Sequence, residues 1–287
     1  MKQLNLFIEL TRLKKPIGFM LLFWPCAWGL TVAYNFENNT DLYFFYLILF
    51  FLGSILMRSA GCIVNDIFDK DFDQKVLRTK NRPLASGKIS IKLAVIYSCI
   101  LCLMALLVLL NFNYFTIILA LGSMPLAFTY PLMKRFTYWP QLFLGVTFNY
   151  GLILGWTAIH GKIDLIPIVL YLGAIFWTLG YDTIYGLQDV KDDEIIGLKS
   201  TSLKFKKNYK EFVFVCYSIF LICLIFSGYL IKLNLISLIF LILLFIYALF
   251  FEIKKVDINN SRSCLKAFKL NNFMGLIIFL ILWFGKI

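Results

Sequence analysis

The sequence predicts an all-α membrane protein, a bundle of about nine transmembrane helices. Of its 287 residues, 61% are hydrophobic and only 15% are charged. Soluble domains carry about 25% charged residues, so a water-soluble globule, a disordered chain and a coiled coil are excluded. The third observation is that the apolar residues fall into nine runs of roughly 20, the length that crosses about 30 Å of hydrocarbon.

The nine apolar runs follow one another with polar connections between them. Their approximate limits are 16–35, 43–66, 91–111, 113–131, 139–159, 165–188, 211–231, 233–251 and 269–286. Pro16 is compatible with the first turn of a helix, where an amide hydrogen has no intrahelical partner. Connections as short as residues 111–113 indicate antiparallel neighbours. Because no change of composition marks a second domain, we expect residues 1–287 to form one membrane-embedded domain.

Basic residues are concentrated on one side of the predicted bundle. That side collects 23 of the 28 lysines and arginines, and Arg58 and Lys92 lie in or at run ends on the same side. Basic loops face the cytoplasm, so we expect a cytoplasmic N-terminus in the cytoplasmic membrane of a bacterium. This bias and contact with anionic membrane lipid explain the net charge of +12. Nucleic-acid binding is excluded, since no soluble basic module is present.

Acidic residues form two clusters, at the ends of the second and sixth runs. Nine of the sixteen acids belong to them: Asp66, Asp69, Asp71 and Asp73, then Asp182, Asp189, Asp192, Asp193 and Glu194. Four crossings separate the two runs, so both clusters lie on the basic side. Ionisable groups in membrane helices indicate function by default.

The spacing within the clusters is helical. Asp66, Asp69 and Asp73 stand at i, i+3 and i+7, which is one face of a helix. The second cluster has the same pattern: Asp182, Tyr185, Asp189 and Asp193. Carboxylates four residues apart repel, so they need a cation between them. Oxygen ligands without histidine or cysteine suit Mg²⁺, which typically bridges a few carboxylates to substrate phosphates. The spacing therefore predicts a magnesium-dependent diphosphate site.

Three acids lie off these faces and are expected to be solvated surface residues: Asp71, Asp192 and Glu194. Arg78 and Arg82 follow the first cluster four residues apart, and arginine forks suit phosphate oxygens. Lys191 and Lys199 follow the second cluster, where a surface role explains them equally well.

Both acidic segments resemble the signatures of the UbiA-type intramembrane prenyltransferases. The first segment reads Asn65-Asp66-x-x-Asp69-x-x-x-Asp73, then Arg78 and Arg82-Pro83-Leu84-x-Ser86-Gly87. The second reads Tyr181-Asp182-x-x-Tyr185-x-x-x-Asp189-x-x-x-Asp193. The segment Thr129-Tyr130-Pro131-x-x-Lys134-Arg135 is similar to an inner loop of that family. Lys15-Pro16-Ile17-Gly18 and Leu21-Leu22-Phe23-Trp24-Pro25 are similar to the first helix of the ubiquinone-pathway branch.

The resemblance implies transfer of a prenyl chain from a polyprenyl diphosphate to 4-hydroxybenzoate, at the ring carbon ortho to the hydroxyl. It implies that Asp69 and Asp73 hold one Mg²⁺ and that Asp189 and Asp193 hold another. The residues expected to line the diphosphate and allyl site are Asn65, Arg78, Arg82, Tyr130, Lys134 and Tyr185, with Asp66 and Asp182 as supporting groups.

Other readings stay open at this point. An ion-coupled transporter would also hold intramembrane acids, but transporter sites lie near the bilayer midplane within internal repeats. A phosphoalcohol transferase lacks its Asp-Gly-to-Ala-Arg pattern here. Haem, homogentisate or naphthoate could replace 4-hydroxybenzoate, because only the first-helix segment argues for that acceptor. An aspartate, the diphosphate or water could accept the ring proton, and Arg12 and Lys15 could pair with the acceptor carboxylate or serve topology alone.

Overall fold

The computed structural model describes residues 2–37, 40–258 and 260–286, and every regular element in these ranges is helical. Nine long helices form the bundle: α1 (Ile17–Ala33), α2 (Asp41–Phe68), α3 (Ile91–Leu109), α4 (Tyr114–Thr129), α5 (Pro140–His160), α6 (Leu165–Gly186), α7 (Tyr209–Leu230), α8 (Leu235–Leu249) and α9 (Ser261–Lys286). Eight of them, with α4 continued to Phe136 and α8 to Lys254, are long and apolar enough to cross a membrane. The ninth, α1, has 17 residues, about 26 Å of helix. The predicted fold class is confirmed.

Short helical elements gather at one end of the bundle. They are Lys2–Leu10, Lys70–Asp73, the 3₁₀ turn Tyr130–Leu132, Met133–Phe136, Val190–Ile196, Thr201–Lys204 and the π turn Phe250–Lys254. This end, formed by the N-terminal segment and the connections after α2, α4, α6 and α8, is called the polar face below. The connections at the opposite end are shorter and contain no helix among the described residues.

The largest difference from the predicted spans is at α9. The prediction starts the last span at residue 269, whereas α9 begins at Ser261. Its first two turns carry Arg262 and Lys266, which keep hydropathy low, yet Cys264 and Ala267 are buried on the opposite side. The helix therefore begins where one face can pack, before the chain becomes uniformly apolar.

Glycines let the central helices approach closely. A side chain at Gly29 would place its Cβ 2.0 Å from the carbonyl oxygen of Leu152, and one at Gly155 would lie 2.4 Å from that of Cys26. Such small-residue contacts are the usual means of helix packing in membranes, where lipid removes the hydrophobic driving force between helices. The α1–α5 contact forms one wall of the cavity described below.

Three indole groups attach α9 to the rest of the bundle. Trp24 and Trp28 of α1 donate to the Asn272 side chain (2.9 Å) and the Gly275 carbonyl (3.0 Å). Trp177 of α6 donates to the Asn271 side chain at 2.7 Å. The last helix therefore contacts both the first helix and α6.

Candidate active site

The first acidic segment lies at the polar end of α2. Asp66 stands in the last turns of α2, Asp69 follows the helix end, and Asp73 closes the helix Lys70–Asp73. All three carboxylates are buried, with 2%, 3% and 7% of each residue exposed. Asp71 points to solvent. The three aspartates therefore share one inward side, although the chain bends at Asp69 instead of continuing as one helix.

Basic side chains from three other segments neutralise these aspartates. Arg12 contacts Asp66 at 2.5 Å, and Arg82 bridges Asp66 (3.1 Å) and Asp73 (2.7 Å). Lys134, from the connection after α4, contacts Asp69 at 2.5 Å. Nearby opposite charges of this kind hold a buried carboxylate ionised. The positive charge that the acidic spacing requires is thus supplied here by the chain itself.

Asp69 keeps one oxygen without a partner. Its Oδ2 accepts hydrogen bonds from Asn65 Nδ2 (3.0 Å) and Lys134 Nζ (2.5 Å), while its buried Oδ1 has no hydrogen-bond partner. Burial raises the pKa of the Asp69 carboxyl, and the charge of Lys134 opposes that rise. A buried, unsatisfied carboxylate oxygen is costly and indicates a position for a further ligand.

The second acidic segment lies at the polar end of α6. Asp182 and Tyr185 stand in the last turns of α6, Asp189 follows the helix end, and Asp193 lies in the helix Val190–Ile196. The prediction of one continuous helical face is wrong here, because α6 ends at Gly186 and the chain resumes a helix at Val190. Burial, followed by the charge of Asp189, raises the pKa of Asp193 to about 6.

An arginine fork joins the two acidic segments. Arg78 donates from Nε to Asp189 Oδ1 (2.8 Å) and from Nη2 to Asp189 Oδ2 (2.5 Å). Its guanidinium also lies over the Tyr185 ring, 5.9 Å from the centroid. The structure therefore brings the two acidic segments together on the polar face, although Arg78 and Asp189 are 111 positions apart in the sequence. The region formed by the two acidic segments, Arg78, Arg82 and Lys134 is called the mouth below.

Among the described residues, no three His, Cys, Asp or Glu side chains converge into a metal cage. Mg²⁺ does not require one, since it is usually bound by one or two carboxylates together with substrate phosphates and water. The oxygen-only donor set and the free Oδ1 of Asp69 fit such an ion.

The connection after α4 lies beside the mouth. Arg135 donates to the Phe68 carbonyl at the end of α2 (2.6 Å), and Lys199 donates from its backbone to the Lys134 carbonyl (2.9 Å). These contacts hold Lys134 against Asp69. Lys199 thus supports the segment that carries Lys134, whereas Lys191 is exposed at the surface.

An apolar cavity of about 230 Å³ lies inside the bundle, and Arg58, Gly61 and Tyr130 are its lining residues nearest to the polar ends of α2 and α4. Helices α1 to α5 line it, with Arg58 and Tyr130 among its lining residues and Phe50 and Phe112 in ring contact with each other. An apolar pocket with a few polar groups at one end is the usual form of a site for a largely apolar ligand.

Arg58 is a candidate site residue that is absent from the set predicted from the sequence. The prediction placed it in or at a span end, but it lies inside α2, ten residues before Phe68. Its guanidinium lies over the Phe148 ring, 5.2 Å from the centroid, and it interacts electrostatically with Asp182 and Tyr130. No hydrogen bond or ion pair of Arg58 occurs within the described part of the chain. Its spacing of seven residues from Asn65 is the signal that points to it.

Arg12 is a second candidate site residue that is absent from the set predicted from the sequence. Membrane topology explains a basic residue at this position equally well, yet the Arg12 side chain contacts Asp66. Arg12 also has a backbone φ of +58°, an unusual value for a residue other than glycine. This conformation turns the chain between Lys2–Leu10 and α1.

Comparison with known proteins adds three findings. The family model for the UbiA prenyltransferase family matches residues 22–277. The chain is 42% identical over 290 residues to the mitochondrial 4-hydroxybenzoate polyprenyltransferase of Bos taurus, covering 100% of this chain and 76% of that protein. It is 49% identical over 213 residues to the human protein of the same name, covering 74% of this chain and 57% of that protein.

Solved structures share the fold. A UbiA homologue from Archaeoglobus fulgidus bound to GPP and Mg²⁺ matches with a TM-score of 0.72 and 16% identity, covering 97% of this chain and 99% of that chain. A UbiA homologue from Aeropyrum pernix matches with a TM-score of 0.71 and 22% identity, covering 93% and 96%.

Proposed function

The chain belongs to the UbiA prenyltransferase family, and we propose that it transfers a polyprenyl chain from polyprenyl diphosphate to 4-hydroxybenzoate, in ubiquinone biosynthesis. A carbon–carbon bond forms at the ring carbon ortho to the hydroxyl, the bond between the prenyl carbon and the diphosphate oxygen breaks, and the ring carbon loses its proton to an aspartate, to the departing diphosphate or to water. One observation supports the proposal most: the two acidic segments and the arginine fork lie at the polar face, and an apolar cavity with Arg58 and Tyr130 among its lining residues lies inside the same bundle.

The residues proposed to hold Mg²⁺ are Asp69 and Asp73 for one ion and Asp189 and Asp193 for a second. The free, buried Oδ1 of Asp69 supports this assignment. When bound, Mg²⁺ would neutralise the negative charge that develops on the diphosphate as it leaves.

The chain's own cations are proposed to bind the diphosphate. Arg78, Arg82 and Lys134 converge on the mouth from two connections. Their donors are preorganised by the aspartates they now contact, so little reorganisation is needed when phosphate oxygens arrive. Asn65 supports Asp69 through its side-chain amide.

The apolar cavity is proposed to take the prenyl chain. The diphosphate stays at the polar face while the chain extends into the cavity, which helices α1 to α5 line with apolar side chains. Tyr130 lines the mouth end, and Tyr185 lies under Arg78, so either ring can stabilise an allylic cation by cation–π attraction. Exclusion of water from this space protects the cation from hydrolysis.

Arg58 is proposed to bind the carboxylate of the acceptor. It is a cavity-lining cation whose guanidinium makes no hydrogen bond or ion pair within the described residues, and a charge inside a membrane protein needs such a partner. It lies seven residues before Asn65, about 10 Å along α2, which leaves room for an aromatic ring between the carboxylate and the diphosphate end. Asp182, which Arg58 influences electrostatically, is proposed as a supporting group beside the acceptor.

We further propose one membrane-embedded domain over residues 1–287, in the cytoplasmic membrane of a bacterium with the polar face toward the cytoplasm. The concentration of basic residues on that face supports this orientation. A cysteine-accessibility assay of a residue at the polar face, from each side of sealed vesicles, tests it.

A prenyl-transfer assay tests the proposed reaction. Purified protein in liposomes is incubated with Mg²⁺, geranyl diphosphate or longer donors, and 4-hydroxybenzoate, homogentisate or dihydroxynaphthoate. We expect prenylated 4-hydroxybenzoate, lost on chelation and restored by Mg²⁺. No Mg²⁺-dependent product with any aromatic acceptor would refute the enzymatic proposal, and product with another acceptor alone would change the substrate.

A further inference from the structure

Gly18 lies in the first turn of α1, where α1 packs against α2. Its backbone φ is not positive, so no turn requires glycine here. Glycine is a poorer helix former than alanine, so helix formation does not explain it either. A Cβ at this position would lie 2.8 Å from Arg58 Nε, 3.4 Å from Nη2 and 3.5 Å from Cζ. The missing side chain therefore leaves the space that the Arg58 guanidinium occupies.

The Arg58 guanidinium thus has neighbours on two sides. The backbone of α1 at Gly18 approaches it from one helix, and the Phe148 ring of α5, 5.2 Å from centroid to Cζ, lies beneath it. Phe148 is 8% exposed, so its ring is fixed by the surrounding helices. Arginine stacks on aromatic faces in this way while its nitrogen donors stay free for another partner. Arg58 is among the residues that line the cavity.

We propose that Gly18 is a positioning residue for acceptor selection: it opens the slot in which Arg58 lies against Phe148, and so aims the guanidinium at a carboxylated aromatic acceptor. The inference rests on the proposed prenyl transfer and on Arg58 as the carboxylate partner. The segment Lys15-Pro16-Ile17-Gly18 then contributes to acceptor choice, because the absence of a side chain at Gly18 leaves room for Arg58.

The test variant is Gly18→Ala. The crowded atoms belong to the end of a flexible side chain, so Arg58 can move and the variant is expected to fold. The matched control is Gly122→Ala in α4, where an added Cβ meets nothing within 4 Å. Both are assayed with geranyl diphosphate and two acceptors, 4-hydroxybenzoate and its methyl ester, which lacks the carboxylate charge.

The expected readout is the preference for the acid over the ester, as a ratio of kcat/KM values. Misplacing one hydrogen bond to a charged group lowers this ratio roughly tenfold in Gly18→Ala, mainly through the KM of the acid. The KM of geranyl diphosphate stays within about twofold, because Gly18 does not contact the diphosphate end. Phe148→Leu removes the other side of the slot and is expected to lower the same ratio.

Three outcomes decide the matter. Absence of transfer by the wild-type protein with any acceptor would overturn the proposed function itself. An active wild type, with an unchanged acid-to-ester ratio in a folded Gly18→Ala variant, would overturn only the role of Gly18. Failure of Gly18→Ala to fold, judged by thermal melting beside Gly122→Ala, would make Gly18 a packing residue and equally overturn its role in selection.

Discussion

Two regions of the molecule bury carboxyl groups in opposite ways. At the polar-face mouth, Asp66, Asp69 and Asp73 each contact a lysine or arginine. Between α7, α8 and α9, Glu252 is completely buried among neutral groups: Tyr217 lies 2.6 Å from its Oε2, and Asn271 Nδ2 donates to its Oε1 at 2.6 Å. Trp177 completes this second cluster by donating to Asn271.

The difference separates a reactive arrangement from a structural one. Both oxygens of Glu252 are satisfied by neutral partners, so its cluster has no position for a ligand. The mouth contains the free Oδ1 of Asp69. It also contains lysine and arginine side chains that now contact carboxylates and that could bind phosphate oxygens instead. A fully satisfied buried polar network gives rigidity, whereas a partly satisfied one is where a ligand binds.

The largest effect is expected at Asp69. Asp69→Asn keeps the shape of the side chain but removes the charge, so prenyl transfer should fall by roughly 10³-fold, as when a main electrostatic group of a site is removed. The same loss is expected for Asp189→Asn. Turnover is measured with purified protein, and the thermal melting temperature reports the fold. Asp71→Asn, on an exposed acid of the same segment, is the control. Activity near wild type in either variant would remove that residue from the metal site.

A smaller loss is expected when the link between the acidic segments is weakened. Arg78→Lys cannot form the fork to Asp189, and loss of one charge-assisted hydrogen bond should raise the KM of the prenyl diphosphate roughly tenfold. Lys206→Gln is the matched control, because Lys206 and Glu194 form an exposed ion pair on the same face. Equal effects of the two variants would mean that the Arg78 bridge is only surface structure.

At Glu252 the effect should be on stability and not on chemistry. Glu252→Leu removes one hydrogen-bond partner each from Tyr217 and Asn271 and should lower stability by about 2 kcal/mol. Glu252→Gln should stay within about 1 kcal/mol of wild type, because an amide can replace a carboxylic acid among neutral partners. Thermal melting in detergent measures both. A strongly destabilised Glu252→Gln variant would show that the cluster needs a charged carboxylate, and the contrast between the two regions would fail.

The smallest effect is expected at Trp24. The segment that resembles the ubiquinone-pathway branch places this indole against Asn272 of α9 and not at the mouth. Trp24→Phe should therefore cost about 1 kcal/mol of stability through one hydrogen bond. The acid-to-ester preference should stay as in wild type, and a changed preference would place Trp24 in acceptor recognition.

Much of the architecture was predictable from local properties of the chain. Runs of apolar residues predicted all nine long helices, and the error at α9 arose because a helix with one polar side has low average hydropathy. Helical spacing predicted that Asp66, Asp69 and Asp73 share a side, and all three are buried together. The same reasoning missed the break at residues 187–189, since spacing alone does not reveal where a helix stops.

By itself the sequence determined the membrane fold, the two acidic segments and the side on which they lie, because hydropathy, helical period and the parity of crossings depend only on order along the chain. The tertiary structure decided which charges meet. Arg12 reaches Asp66 across 54 residues, Lys134 reaches Asp69 across 65, and Gly18 leaves room for Arg58 of the neighbouring helix. Such pairings depend on how helices pack side by side, and packing is set by the shapes of side chains that are distant in sequence.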